Sequence, residues 1–409
     1  MRKIFVSIGC ALAFLQMNGQ DDLPGNYRAI LVRQDKNTVV FNMQLAKENG
    51  ETVIYVINAD ERIRVSPVTI TNDSVNFSMP VFESTFKTKR NSDGSLQGIW
   101  IKGTSGEFQR WPFYAMPNEE DRFEKNQGSA KFNIAGKWDV TLTGANGNRK
   151  AVAEFQQNGD DVTGSVLTTT GDYRYLQGIV TGDSLKLSTF DGAHAYTFYA
   201  KIGNIEKVTS GVYYSGINGK ETWTAVKDDD VKEPAQEQPT KLRPGQTKLN
   251  FTFKDLDGNP VSINDDRFKN KVVVVQLMGS WCPNCLDETK FLSDFYNSYR
   301  SKGVEVVSLA YEYSTDWERS KKSLSKFQKL FNVQYPMLIT GVTSTDEKKT
   351  EKTLPQLTPI RSFPTSIFLD RKGNVREVHS VFYGPGTRQY FEEYKKIFLG
   401  IVDGLLKEK

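Results

Sequence analysis

Two kinds of hydrophobic pattern divide the chain. Over residues 21–229, apolar and polar positions alternate along short segments, as at residues 138–143. This period of two is typical of β-strands with one buried face. Segments rich in Gly, Asn and Asp interrupt the alternation, for example at 144–148 and 158–160. The pattern predicts all-β modules that are either barrels or sandwiches.

The β part contains an internal repeat. Gly25-Asn26-Tyr27 resembles Gly136-Lys137-Trp138, which follows 111 residues later, and Asp73-Ser74-Val75 resembles Asp183-Ser184-Leu185, 110 residues later. A nearly constant offset predicts two modules, at 21–130 and 131–229. Each has enough strands to close into a lipocalin-like barrel, although an open sandwich would show the same alternation.

Aromatic residues of the β part are candidates to line the mouth of a ligand site. We expect instead that Tyr173, Tyr175, Tyr213 and Tyr214 fill barrel interiors or pair across strands. His194 is one of two histidines and has no cysteine or second histidine near it in the sequence, so we expect no metal there.

A different pattern follows residue 229. Residues 230–247 are charged, contain proline and lack aromatic side chains, which predicts a linker that lets the next domain move. Beyond it, strand and helix patterns alternate over 248–409, which predicts an α/β domain. The predicted elements are a buried strand at 272–277, a helix at 286–299, a strand at 304–309, a helix at 317–331, a hairpin at 367–378 and a helix at 390–406.

The first residues have the pattern of a secretory signal peptide. Arg2 and Lys3 precede a mostly apolar stretch at 4–17 that is too short to span a membrane. We expect cleavage near Gly19, so that residues 1–19 are removed and the protein is periplasmic or otherwise exported. A lipid anchor on Cys10 and a short uncleaved anchor are the alternatives, and we favour cleavage because the apolar stretch continues past Cys10.

Composition narrows the class of protein. The 409 residues are 25% charged and 38% hydrophobic with a mean hydropathy of -0.49, values typical of a soluble multi-domain protein. The 53 basic and 49 acidic residues leave a net charge of only +4, so we expect no nucleic-acid partner. Removal of residues 1–19 leaves two of the three cysteines, Cys282 and Cys285.

These two cysteines form the motif Trp281-Cys282-Pro283-Asn284-Cys285 between a predicted strand and a predicted helix. A cysteine at a helix N-terminus faces free backbone N–H groups that stabilise its thiolate, the species that attacks disulfides. The second cysteine, one turn further, can resolve a mixed disulfide. Pro283 suits the first helical turn, where its missing N–H is not needed.

A zinc site and a structural disulfide are the other uses of such a pair. A zinc site needs more ligands, but the chain without residues 1–19 has no second cysteine pair, and His194 and His379 lie far away in the sequence. A purely structural disulfide would close so small a loop that it would stabilise the fold only weakly. We therefore predict a redox-active pair, no metal and no cofactor.

Residues 248–409 resemble the thioredoxin-like fold and, within it, the TlpA/ResA-type periplasmic thiol-disulfide reductases. The resemblance is carried by the lead-in at 253–261, the strand at 272–275, the motif at 281–285, and Phe363-Pro364-Thr365 before the strand at 366–370. The β modules also look like N-terminal extensions of some exported relatives, which says little about function.

The resemblance implies roles for individual residues. Cys282 would be the nucleophile and Cys285 the resolving thiol, with a Cys282–Cys285 disulfide in the oxidised form. Pro364 matches the cis-proline of the family, and Phe363 and Thr365 beside it would bind substrate.

Two further side chains complete the implied site. Glu288 matches a glutamate that could carry a proton to or from Cys285, with a solvated surface glutamate as the alternative. Trp281 would shield the site and contact substrate, or simply pack. One departure is Gln276, which stands where many thioredoxins carry a buried aspartate and cannot accept a proton. Proton transfer would then use Glu288, water or another group.

The resemblance favours a reductase that acts on oxidised protein thiols and receives electrons from a membrane-bound donor. An oxidase or isomerase on the same scaffold, and a binding protein whose β modules carry the function beside a passive disulfide, are the alternatives. A peroxiredoxin is disfavoured because Gly279 stands where that family carries threonine. Substrate, donor and oligomeric state do not follow from the sequence.

Overall fold

The computed structural model describes residues 25–125 and 127–408. The predicted signal segment at 1–19, with Cys10, lies outside the described residues. Three sheets organise the remainder, two of them entirely antiparallel. Within the described ranges, no helix has the length and apolar character that crossing a membrane requires.

The first sheet has nine strands in the order β4-β3-β2-β1-β9-β8-β7-β6-β5. The first and last strands in sequence pair with each other, with Tyr27 opposite Pro117, so the sheet curls into a barrel-like form. Strands β4 and β5 are its two edges, and they are joined through the cis Ser66–Pro67 peptide bond. The strands are β1 Asn26–Val32, β2 Thr38–Glu48, β3 Glu51–Asn58, β4 Glu61–Val65, β5 Val68–Ile70, β6 Val75–Ser78, β7 Ser84–Arg90, β8 Leu96–Lys102 and β9 Gln109–Pro117.

The second sheet also has nine strands, in the order β11-β10-β18-β17-β16-β15-β14-β12-β13, and it closes because β11 also pairs with β12. The predicted barrel is therefore complete in the second module and open at one seam in the first. The strands are β10 Gly136–Gly144, β11 Gly147–Asn158, β12 Asp161–Thr168, β13 Gly171–Asp172, β14 Leu176–Thr181, β15 Ser184–Phe190, β16 Ala195–Asn204, β17 Lys207–Ser215 and β18 Gly219–Lys227.

The two sheets use the repeated sequence segments in the same way. Tyr27 on β1 and Trp138 on β10 are both fully buried, and each lies on the strand that pairs with the last strand of its sheet. Tyr213 stacks on Phe198 inside the second barrel, and Tyr173 stacks on Tyr213. The expectation that these tyrosines fill the interior rather than a ligand mouth agrees with this packing.

The third sheet lies in the C-terminal part and has the thioredoxin-like fold that the sequence predicts. Its order is β20-β19-β23-β22-β21-β24-β25, with β21, β22 and β23 parallel and β24 antiparallel to β21. The elements are β19 Thr252–Asp255, β20 Pro260–Ser262, β21 Val272–Met278, α1 Pro283–Tyr299, β22 Val304–Ala310, α2 Trp317–Leu330, β23 Met337–Ile339, α3 Lys349–Thr353, β24 Thr365–Leu369, β25 Val375–His379 and α4 Gln389–Lys407.

The linker is not a free tether, contrary to the sequence-based expectation. The Gln236 amide donates to the carbonyl of Thr169 on the second barrel at 2.7 Å and to the carbonyl of Ser380 in the C-terminal part at 3.2 Å. The buried Thr240 hydroxyl donates to the carbonyl of Pro359 at 3.1 Å. The polar side chains that predicted a solvated linker instead form hydrogen bonds with the second barrel and with the C-terminal part. These hydrogen bonds hold the segment in place.

The first β module also packs directly on the C-terminal part. Val81 and Phe82, in the loop after β6, are buried in the same apolar cluster as Phe327 of α2. Beside them, the Arg319 guanidinium binds both carboxylate oxygens of Glu83, at 2.8 and 2.5 Å. The β modules are therefore built against the domain that carries the cysteine pair.

Candidate active site at the cysteine pair

The motif lies where β21 ends and α1 begins. Strand β21 is buried along its whole length because parallel strands in the middle of a sheet are covered on both faces. Cys282 is the N-cap of α1 with extended backbone angles, and Pro283 is the first helical residue. This confirms the predicted position of Cys282 at a helix N-terminus.

The two sulfur atoms have different surroundings. The Sγ of Cys282 accepts the backbone N–H of Cys285 at 3.1 Å, and its thiol lies 3.5 Å from the carbonyl oxygen of Phe363. Cys282 is 5% exposed, whereas Cys285 is fully buried. Cys282 and Cys285 are both free thiols in the structure, and the Cys282–Cys285 disulfide stays a prediction for the oxidised form.

Burial makes Cys285 a poor thiolate in this state. Desolvation raises the pKa of the Cys285 thiol well above its usual value, and the adjacent Cys282 and the carboxylate of Glu288 act in the same direction. Cys285 is therefore protonated in the dithiol form, while Cys282 has the helix N–H donor that a thiolate requires.

The loop before β24 lies against the pair. The Phe363–Pro364 peptide bond is cis, as the resemblance predicts, and the carbonyl of Phe363 is the one that faces Cys282. Thr365 is the first residue of β24 and is fully buried, with its hydroxyl donating to the carbonyl of Ser362 at 2.9 Å. Thr365 thus holds the loop, and Phe363 is the more exposed of the two.

Trp281 covers one side of the site. Its indole N–H donates to the carbonyl of Tyr311 at 2.8 Å, and its ring stacks on Tyr313 with centroids 5.2 Å apart. The ring of Phe363 meets it edge-on at 5.8 Å. Trp281 is partly exposed, so these contacts orient a ring that still reaches the surface.

Glu288 is not a solvated surface residue, since it is only 1% exposed. Its carboxylate accepts hydrogen bonds from Gln276 at 2.8 Å, from Ser366 at 2.9 Å and from Tyr394 at 2.7 Å. Burial raises the pKa of Glu288 above its usual value, while the three donors oppose that rise. A buried carboxyl with a raised pKa near a thiol can exchange a proton with it.

Gln276 therefore belongs to the same network as Glu288. The glutamine occupies the position of the missing aspartate and uses its amide to bind the carboxylate of Glu288, while its carbonyl oxygen accepts from Ser308 at 2.7 Å. Sequence reasoning missed Ser308, Ser366 and Tyr394. Their strands and helix carry them inward, but nothing in the local pattern marks the hydroxyls of Ser366 and Tyr394 as partners of Glu288, or that of Ser308 as a partner of Gln276.

Sequence reasoning also missed the contribution of the second barrel. The side chain of Asn284, between the two cysteines, donates to Asp172 of β13 at 2.9 Å. Arg174, two residues further along, forms an ion pair with Asp287 of α1 at 3.2 Å and with Glu61 of the first module. No sequence signal links these residues, because they lie more than one hundred positions apart.

No group of three or more His, Cys, Asp or Glu side chains in the described ranges has the arrangement of a metal site. His194 instead pairs with Asp191 at 3.3 Å and stacks on Tyr196. Both partners belong to the second β module.

The comparison with protein families bears on the C-terminal part alone. Residues 243–393 match the family model named Redoxin. These residues form a redoxin domain. The match spans the cysteine motif, Glu288 and the Phe363–Pro364 loop, so the site described above is that of the redoxin domain.

Curated relatives of the redoxin domain are thiol-disulfide oxidoreductases of the ResA type. The chain is 29% identical over 157 residues to thiol-disulfide oxidoreductase ResA of Bacillus thuringiensis subsp. konkukian, which is 38% of this chain and 79% of that protein. It is 24% identical over 189 residues to the thioredoxin-like protein YneN of Bacillus subtilis, covering 46% of this chain and 96% of YneN.

Solved structures give a similar coverage. The thioredoxin domain of a thiol-disulfide oxidoreductase from Bacteroides vulgatus is 24% identical, with a TM-score of 0.28, over 38% of this chain and 99% of that one. A thiol-disulfide oxidoreductase from Bacteroides fragilis is 16% identical, with a TM-score of 0.28, over 36% of this chain and 99% of that one.

Proposed function

We propose that this protein is an exported thiol-disulfide reductase that reduces disulfides of proteins through Cys282 and Cys285. In this scheme the thiolate of Cys282 attacks one sulfur of a substrate disulfide, and the other substrate sulfur leaves as a thiolate. Cys285 then loses its proton and attacks Cys282, which releases the reduced substrate and leaves a Cys282–Cys285 disulfide. A membrane-bound donor returns two electrons to the pair.

The observation that carries the proposal is the asymmetry of the two sulfur atoms. Cys282 caps α1 and accepts a backbone N–H, whereas Cys285 is enclosed and its pKa is raised by burial. An attacking thiol needs the stabilised thiolate, and a resolving thiol needs protection until a mixed disulfide forms. The homology to ResA-type oxidoreductases supports the same assignment.

The remaining roles are part of the same proposal. Glu288 accepts the proton of Cys285 in the resolving step. Trp281 and Phe363 form the surface that receives the substrate segment, and the buried Pro364 and Thr365 contribute to substrate binding by holding the Phe363 loop in place. We propose domain limits at 21–130, 131–229 and 248–409, with residues 1–19 as the export signal and 230–247 as the connection.

The test uses the purified mature chain and a model protein disulfide. Cys282→Ser should abolish reduction, and Cys285→Ser should accumulate a mixed disulfide with the substrate, while Ser298→Ala on the exposed side of α1 serves as the control. Activity that persists in Cys282→Ser would contradict the proposal and leave the β modules as the functional part.

The direction of the reaction is tested by the reduction potential of the pair. A value of about −270 mV or lower supports a reductase, and a value near about −120 mV means that the protein is an oxidase. The measurement is an equilibrium titration of the full mature chain against glutathione or dithiothreitol.

A further inference from the structure

The second barrel reaches into the motif that holds the cysteines. Strand β13 consists of Gly171 and Asp172, and Asp172 is 3% exposed. One of its carboxylate oxygens accepts the side-chain amide of Asn284 at 2.9 Å and the backbone N–H of Gly384 at 2.7 Å. The other accepts the backbone N–H of Arg174 at 2.6 Å.

The close approach requires a glycine beside Asp172. Gly171 has a φ of +138°, and a Cβ atom on it would lie 2.9 Å from the side-chain nitrogen of Asn284. Any other residue would therefore be strained and would press on Asn284. The barrel thus presents a backbone that leaves room for this side chain and a carboxylate that binds it.

Asn284 carries the peptide group that faces the nucleophilic sulfur. The N–H of that peptide belongs to Cys285, and it donates to the Sγ of Cys282 at 3.1 Å. The side chain of Asn284 and the Asn284–Cys285 peptide group both belong to the first turn of α1. Contacts that hold this side chain therefore also orient the peptide group. A second contact, from the Asn284 amide to the carbonyl of Phe382 at 3.4 Å, fixes the same side chain.

The ion pair of Arg174 with Asp287 supports the contact one turn further along α1. Arg174 follows Asp172 by two residues, and its guanidinium lies 3.2 Å from the carboxylate of Asp287. The short segment from Asp172 to Arg174 therefore binds the start of α1 at two successive turns. One of these two contacts, from Asn284 to Asp172, is made inside the cysteine motif. The barrel therefore binds the residues between the two cysteines directly.

We propose that Asp172 is a positioning residue of the redoxin active site, acting through Asn284. It holds the first turn of α1 so that the N–H of Cys285 points at the sulfur of Cys282 and stabilises the thiolate. The proposal rests on the proposed function of Cys282 as the attacking thiol. It assigns to the second β module a part in setting the reactivity of the pair.

The test is a double-mutant cycle of Asp172→Ala and Asn284→Ala, read out by the rate at which Cys282 reacts with iodoacetamide across pH. Each variant is made in a Cys285→Ser background, which keeps the backbone N–H. We expect the midpoint of the pH profile to rise and the rate at neutral pH to fall at least threefold in either single variant. The double variant should fall no further, because both changes remove one contact.

Matched controls separate positioning from general damage. Asp161→Ala removes an exposed carboxylate of the same barrel and should leave the pH profile unchanged. Asn284→Ala alters the contact from the redoxin side, so it keeps the test valid if Asp172→Ala disturbs the barrel. Circular dichroism of each variant monitors folding.

Unchanged profiles in both single variants, or effects that multiply in the double variant, would overturn the proposal. Failure of the proposed function looks different. In that case the wild-type chain reduces no model disulfide, while the alkylation profile of Cys282 still depends on Asp172 and Asn284.

Discussion

The side-chain amide of Gln276 donates a hydrogen bond of 2.8 Å to the carboxylate of Glu288 in the interior of the redoxin domain. The glutamine that cannot accept a proton thus binds the glutamate that can. Both side chains are at most 1% exposed. In the sequence, a glutamine at position 276 looks like the loss of a proton acceptor. In the structure, this glutamine hydrogen-bonds to a second acid, Glu288.

The first prediction concerns Glu288 itself. Glu288→Gln removes the group that we propose as the proton acceptor of Cys285, so we expect the release of substrate from the mixed disulfide to slow by about 10²-fold. Rapid-quench measurement of mixed-disulfide decay would record it. Glu318→Gln, at an exposed position of α2, is the control, and a decay rate equal to wild type in Glu288→Gln would remove Glu288 from the mechanism.

The second prediction uses the hydroxyl of Tyr394. Tyr394→Phe deletes one of three hydrogen bonds that lower the pKa of Glu288, so that pKa should rise further above its usual value. Ionisation of Glu288 then requires a higher pH, and the pH profile of mixed-disulfide decay should move upward with it. Tyr299→Phe, at the other end of α1, should leave the profile in place. A profile that moves to lower pH contradicts the assignment.

The third prediction concerns Glu312, which lies beside the site and is 5% exposed. Its carboxylate accepts the backbone N–H of Ser280 at 2.8 Å, and burial raises its pKa from 4.5 to about 7. The folded state therefore binds a proton more tightly than the unfolded state. The contribution of Glu312 to the free energy of unfolding is therefore fully present below pH 4.5, and it is lost as the pH rises through about 7.

Glutamine does not titrate, so Glu312→Gln should abolish this loss of stability at rising pH. Relative to wild type, the variant should gain stability on going from pH 4.5 to 7, by about 3 kcal/mol. Urea unfolding at several pH values measures the difference. Glu318→Gln again provides the control, and a difference that is constant with pH would show that Glu312 does not titrate in this range.

The fourth prediction concerns Arg174, whose guanidinium is buried among the carboxylates of Glu61, Asp191 and Asp287. Arg174→Met leaves these carboxylates without their cation and should cost about 3–5 kcal/mol of stability at neutral pH. The cost should shrink at lower pH, because protonation of the acids removes the uncompensated charge.

The matched change is Arg149→Met in the same barrel. Arg149 binds Glu221 at 2.9 Å, but its side chain is 38% exposed, so we expect a cost of less than about 1 kcal/mol. Denaturant unfolding at pH 5 and pH 8, followed by tryptophan fluorescence, compares the two variants. Equal costs in both, or a larger cost for Arg174→Met at the lower pH, would contradict the role assigned to Arg174.

Local patterns sufficed for the elements around the cysteine pair. The apolar run at 272–277 predicted β21, and the motif before 286–299 placed Cys282 at the start of α1, because strand burial and helix capping depend on neighbouring residues. The repeat at an offset of 110 to 111 residues likewise predicted two related β modules. Closure of the second barrel through β11 and β12 did not follow, since alternation is the same in open and closed sheets.

The linker shows why composition alone misled. Its charges and prolines describe a segment that is soluble when unpartnered, and they say nothing of partners that the fold brings near. Gln236 meets Thr169 and Ser380 because two separate parts of the chain face it on opposite sides. The same reasoning applies to Glu288, whose three donors come from β21, β24 and α4.

The sequence by itself determined the local setting of the cysteine pair: two cysteines at a spacing of three, a proline in the first helical turn and the order of motifs around them. Only the tertiary structure decided what surrounds that pair. Asp172 and Asn284 are 112 positions apart, and they meet because the packing of a barrel on the redoxin domain buries both. Hydrogen bonds between distant segments depend on how whole faces pack, and that information is not carried by the pattern of either segment alone.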